Sequence, residues 1–131
     1  MNELELADDL FERLSARDRY HAQAYAFVLA ALEFCQVRRP TRGHITGDEL
    51  AWACRDFARE QYGLTALTVL RHWGVETTHD FGRIVYRLID AGLLIGQPED
   101  RIEDFANVYD FSDAFQRQYP WSGVSRGGAV P

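Results

Sequence analysis

The stretch LTALTVLRHWGVETTHDFGRIVYRLIDAGLLIGQPED, residues 64–100, decides the reading of the fold. Ala66, Leu67, Val69, Leu70 and Trp73 share one side of a short helix over Leu64 to Trp73, and Gly74 stands where a left-handed residue closes a helix. Four residues later Thr77 and Thr78 are N-cap candidates for a second helix from about His79 to Ala91, with Gly92 as its stop. Its spacing turns Phe81, Ile84, Val85, Leu88 and Ile89 inward and Asp80, Arg83, Arg87 and Asp90 outward. A link this short cannot hold the two helices end to end, so they are expected to cross over a shared core of Leu67, Leu70, Val75, Phe81, Ile84 and Val85. Leu93 to Ile95, the turn Gly96 to Asp100, and Phe105 to Phe111 then read as one small hairpin. Helix, tight turn, helix and hairpin in this order predict a winged helix-turn-helix-like unit.

Upstream, Leu6, Leu10, Phe11 and Leu14 make an apolar stripe on a covering helix. Tyr20 to Gln36, alanine-rich with Ala24, Tyr25, Val28, Leu29, Leu32 and Cys35 at helical spacing, is the expected central helix. Arg38 to Gly43 reads as a loop around Pro40. Thr46 followed by Glu49 has capping-box spacing, which starts a helix near Gly47 that runs to Tyr62 and stops at Gly63. The expected fold class is therefore mainly α (α+β): about five helices with a small C-terminal β-hairpin. Residues 1–116 are expected to form one domain and residues 117–131 a flexible glycine-rich tail.

Composition narrows the function. Among 131 residues, 47% are hydrophobic and 26% charged, the balance of a chain that can close a core. Twenty acidic residues against 14 basic ones give a net charge of −6, which opposes general polyanion binding. All 14 basic residues are arginine, so a Schiff-base lysine and a phosphate-loop lysine are excluded. Cys35 and Cys54 lie in apolar helical patterns without CxxC spacing and read as reduced core thiols. Met1 to Glu12 carries five acids and no base, unlike a signal peptide, and no 18-residue apolar run exists; the expectation is a soluble cytoplasmic protein.

Thr77, Thr78, Arg83 and Arg87 are the residues a recognition helix would offer to phosphates or base edges. Charge opposes that use. Arg71, Arg83 and Arg87 are balanced by Glu76, Asp80 and Asp90, and the hairpin sets Glu99, Asp100, Glu103 and Asp104 against Arg101, a net −3. Arg38, Arg39 and Arg42 form the one compact basic stretch, suited to an acidic protein surface or to phosphate, although loop arginines are often only solvated. Tyr119 and Trp121, flanking Pro120, are candidate contact aromatics. His72 and His79 could meet across the turn with Glu76 or Asp80, but neither they nor His21 and His44 have diagnostic ligand spacing, so no metal site is assigned. No serine sits in a GxSxG turn, and no cofactor motif is present. These readings favour a non-enzymatic cytosolic interaction or regulatory module that binds another protein. The alternative is a winged helix-turn-helix DNA-binding regulator. No membrane contact and no small-molecule substrate are inferred.

The succession Arg19-Tyr20, Gly47-Asp48-Glu49-Leu50, Trp73-Gly74, Asp80-Phe81-Gly82, Ala91-Gly92-Leu93-Leu94 and Tyr109-Asp110-Phe111 resembles a small bacterial family of conserved hypothetical proteins associated with Planctomycetes and Verrucomicrobia. The likeness spans about residues 17 to 115. It implies a stand-alone bacterial cytosolic protein and brings with it no activity, cofactor or catalytic residue.

Overall fold

The computed structural model describes the backbone of residues 3–117 and the side chains of residues 9–116. The described chain is helical: α1 (Glu3–Arg17), α2 (Ala22–Val37), α3 (Gly47–Tyr62), α4 (Ala66–His72) and α5 (Thr78–Asp90). Gly63–Thr65 and Ile102–Phe105 are 3-10 turns, and Asp113–Arg117 is a π-helical turn.

Local chemistry sets the helix ends. The Thr46 hydroxyl accepts from the Glu49 amide at 3.3 Å, and the Glu49 carboxylate accepts from the Thr46 amide at 2.9 Å, so the expected capping box starts α3. α4 and α5 both end in Schellman closures: Gly74 N–H donates to Arg71 O and Val75 N–H to Leu70 O; Gly92 N–H donates to Ile89 O and Leu93 N–H to Leu88 O. Gly74, at φ 89°, has a second reason to be glycine, since a Cβ there would stand 3.0 Å from the Arg19 carbonyl oxygen.

α2 is the centre of the packing, in contact with α1, α3 and α5. Tyr25, Val28 and Ala31 of α2, Ala51, Cys54 and Ala58 of α3, Leu70 of α4 and Phe81, Ile84 and Leu88 of α5 are fully enclosed. Phe27 links the helices through ring contacts with Phe57, Trp73 and Phe81 at 5.4, 5.6 and 6.4 Å between centroids.

The expected C-terminal β-hairpin, and with it the winged-helix-like wing, is not formed: the described residues contain no strand. Three contacts take the groups that a hairpin would have paired. The Leu93 amide closes α5. The Phe105 carbonyl accepts from the Thr78 hydroxyl at 2.6 Å, and the same hydroxyl accepts from the Val108 amide at 3.2 Å. The Phe105 ring lies over two glycines, where a Cβ on Gly47 would come within 3.0 Å of it and one on Gly82 within 2.7 Å. Residues 102–115 thus dock on α3, α4 and α5 by side chains, and the apolar run that suggests a strand is a row of anchors: Phe105, Tyr109, Phe111 and Phe115. The expected tail, residues 117–131, lies outside the described residues apart from the backbone of Arg117.

Candidate binding site

The helix-turn-helix surface is braced from within. Asp80, expected on the outer face of α5, is only 3% exposed. Its carboxylate accepts hydrogen bonds from Arg19 and the Tyr20 hydroxyl, and from the amides of Glu76 and Thr77 at 2.8 and 3.1 Å. Burial alone would raise this carboxyl, but the hydrogen bonds and the Arg19 charge outweigh it and hold the group below the usual aspartate range. The His21 amide donates to the Trp73 carbonyl at 3.0 Å, so the α1–α2 link lies directly on the α4–α5 turn. The signal for Asp80 is in the sequence: Thr77 and Asp80 have the same spacing as Thr46 and Glu49.

Of the four nucleic-acid candidates, Thr77 is the N-cap of α5, and buried Thr78 has its hydroxyl engaged by the 105–108 segment. Arg87 stands 3.2 Å from Asp18 without hydrogen-bond alignment. Arg83 remains exposed. His72 faces His21, with ring centroids 6.0 Å apart. Among the described residues no group of three or more His, Cys, Asp or Glu is placed to hold a metal ion.

The basic stretch is an internal clamp. Arg42 makes a two-pronged contact with Glu33 at 2.8 and 3.0 Å. Arg39 donates to the His44 carbonyl at 2.9 Å and lies 3.6 Å from Glu49. Arg38 stacks over the Phe34 ring at 4.4 Å and lies 3.9 Å from Glu60. The Gln36 amide pairs with both backbone groups of Gly43, at 2.6 and 3.1 Å. These contacts pin residues 38–46 to α2 and α3, and they are the reason that His44 is held at one place. Tyr119 and Trp121 lie outside the described residues.

The pinned loop forms one wall of a cavity of about 260 Å³ that composition and spacing do not reveal. The opposite wall is the 94–105 segment. Gly96 sits against Ile89, and Asp100 closes its own turn by accepting from the Gln97 amide at 2.9 Å. Asp100 also meets His44 Nε2 at 2.9 Å, joining the two walls. Leu32, Leu50, Val85, Ile89 and Phe105 give the cavity an apolar interior, while His44, Asp100, Arg101 and Asp104 are its polar lining. Tyr86 also lines it, and its buried hydroxyl has no hydrogen-bond partner among the described residues. Burial first, then the carboxylates of Asp100, Asp104 and Glu103, push that hydroxyl above its ordinary range, so it stays a proton donor. The most exposed large apolar side chain among the described residues, Ile95 at 92%, stands on the same wall.

Chemically, this arrangement can hold an apolar group on its floor, beside a polar lining that includes His44, Asp100, Arg101 and Asp104. It contains a histidine–carboxylate pair but no serine, threonine or cysteine nucleophile bonded to that histidine. No helix of the described residues is long and apolar enough to cross a membrane. Comparison with protein-family models, with curated proteins and with solved structures gave no match.

Proposed function

We propose that the chain is a non-catalytic interaction module, and that the cavity between residues 43–46 and 94–105 receives an apolar side chain of a partner protein. The observation that carries the reading is a preformed cavity with a floor of Leu32, Leu50, Val85, Ile89 and Phe105, its two walls joined by the His44–Asp100 contact. Size favours a side chain over a metabolite: about 260 Å³ is below the roughly 300–1,000 Å³ typical of small-molecule pockets. The duplex-binding alternative has less support, since Thr77 and Thr78 are engaged within the fold and no wing is formed among the described residues.

The test is amide chemical-shift mapping with N-acetyl-leucinamide, N-acetyl-tryptophanamide and a mixed-sequence DNA duplex as probes. The amino-acid amides are expected to shift Val85, Tyr86, Asp100 and Phe105, and the duplex to shift nothing. A duplex bound with steep salt dependence, and lost in the Arg83→Glu/Arg87→Glu variant, would overturn the proposal in favour of nucleic-acid recognition.

A further inference from the structure

The charge around the cavity narrows the partner further, and this step rests on the reading just given. Asp100 and Asp104 line the cavity, and Glu99 and Glu103 belong to the same segment, in which Arg101 is the one cation. The two lining carboxylates are not equivalent. Asp100 is engaged at both oxygens, Oδ1 by His44 and Oδ2 by the Gln97 amide, and it is partly buried. Asp104 is exposed, and only its Oδ2 is engaged, by the Arg101 amide at 3.3 Å. It is the acceptor that an incoming cation can reach without breaking the wall.

We infer that the partner segment carries a large apolar residue next to an arginine or lysine, the apolar side chain filling the cavity and the cation pairing with Asp104. An anchor in an apolar pocket with a charged neighbour at the rim is how short segments gain both affinity and selectivity. The sign of the rim also disfavours two other occupants. A second copy of this chain would bring the same acidic turn against itself, and an acidic peptide or polyanion would face net repulsion.

The experiment pans a random peptide display library on the purified full chain and counter-selects on two cavity-blocked variants. Val85→Phe fills the floor; Gln97→Trp covers the mouth from an exposed position, so a folded blocked form is available even if the first variant unfolds. Expected are peptides with an apolar residue beside Arg or Lys that do not bind the blocked forms. Their affinity should fall roughly two- to fivefold in Asp104→Asn, the range of an exposed ion pair, and weaken with salt. Cavity-dependent peptides with neutral or acidic neighbours, equally bound by Asp104→Asn, would overturn this inference and leave the interaction-module reading intact. A library that yields no cavity-dependent peptide would overturn both.

Discussion

Asp80 joins the start of α5 to the α1–α2 link with one carboxylate, which accepts from the Glu76 and Thr77 amides, the Tyr20 hydroxyl and the Arg19 guanidinium. Replacing it by alanine strands a buried tyrosine hydroxyl and removes a helix cap, so Asp80→Ala should lower stability by about 2–4 kcal/mol in urea denaturation. Arg19 adds less, since its side chain is more than half exposed. The pH dependence has a definite sign. The folded-state carboxyl is held below its ordinary range, so its contribution is present above the unfolded aspartate value of about 3.9 and disappears as pH falls through the lower folded value. Acid titration of stability should show this limb in the wild type and a shallower one in Asp80→Asn. Identical limbs in the two proteins would show that other carboxylates dominate acid unfolding.

Between elements, Phe105 packs the trailing segment onto α3 and α5 and lines the cavity that they form with α2. It covers Gly82, where alanine would otherwise favour the helix by about 1 kcal/mol. Here the added Cβ would stand 2.7–2.9 Å from ring and Cβ atoms of Phe105, so Gly82→Ala should instead destabilise by about 1–3 kcal/mol through overpacking. In a Phe105→Ala background, which removes Cγ and Cδ2, the same change should be far less harmful; strict additivity in that double-mutant cycle would mean the ring is not the obstacle. Thr78 is the polar half of the same joint. Thr78→Val keeps the shape and removes both hydrogen bonds, so it should lose about 1–2 kcal/mol and deprotect the Val108 amide in hydrogen exchange. Retained protection would place that amide's partner elsewhere.

For the whole molecule, Cys54 reports on opening. Burial pushes its thiol far above the usual range, and it sits in the core among α2, α3 and α4, so native-state alkylation should require unfolding. Half-buried Cys35 should react first. Phe105→Ala should remove about 3–4 kcal/mol and raise Cys54 labelling at least a hundredfold where opening is at equilibrium. Unchanged labelling would show that the thiol is reached by a local motion that leaves the Phe105 joint closed. The same scale explains what spacing and composition could show. Helix existence, the Thr46–Glu49 box and the stops at Gly63, Gly74 and Gly92 are readable, because each depends on groups within a few residues of one another. The hairpin is misread because an aromatic-rich segment looks the same whether it pairs with a strand or drops anchors onto helices. The choice lies with Gly47, Gly82 and Thr78, from 23 to 58 positions away in sequence.

Capping, glycine closure, apolar periodicity and the sign of the 99–104 segment belong to the linear order of residues, since they act over one or two helical turns or are sums of charge. The engagement of Arg38, Arg39 and Arg42 as clamps, the burial of Asp80 and the cavity around Tyr86 belong to the folded chain alone. The buried Asp80 and the cavity need side chains from distant segments brought within hydrogen-bond or van der Waals reach, which happens when α2, α3 and α5 pack and the 94–105 segment closes over them, whereas the arginine clamps need only the 38–46 loop to fold back over five and nine positions.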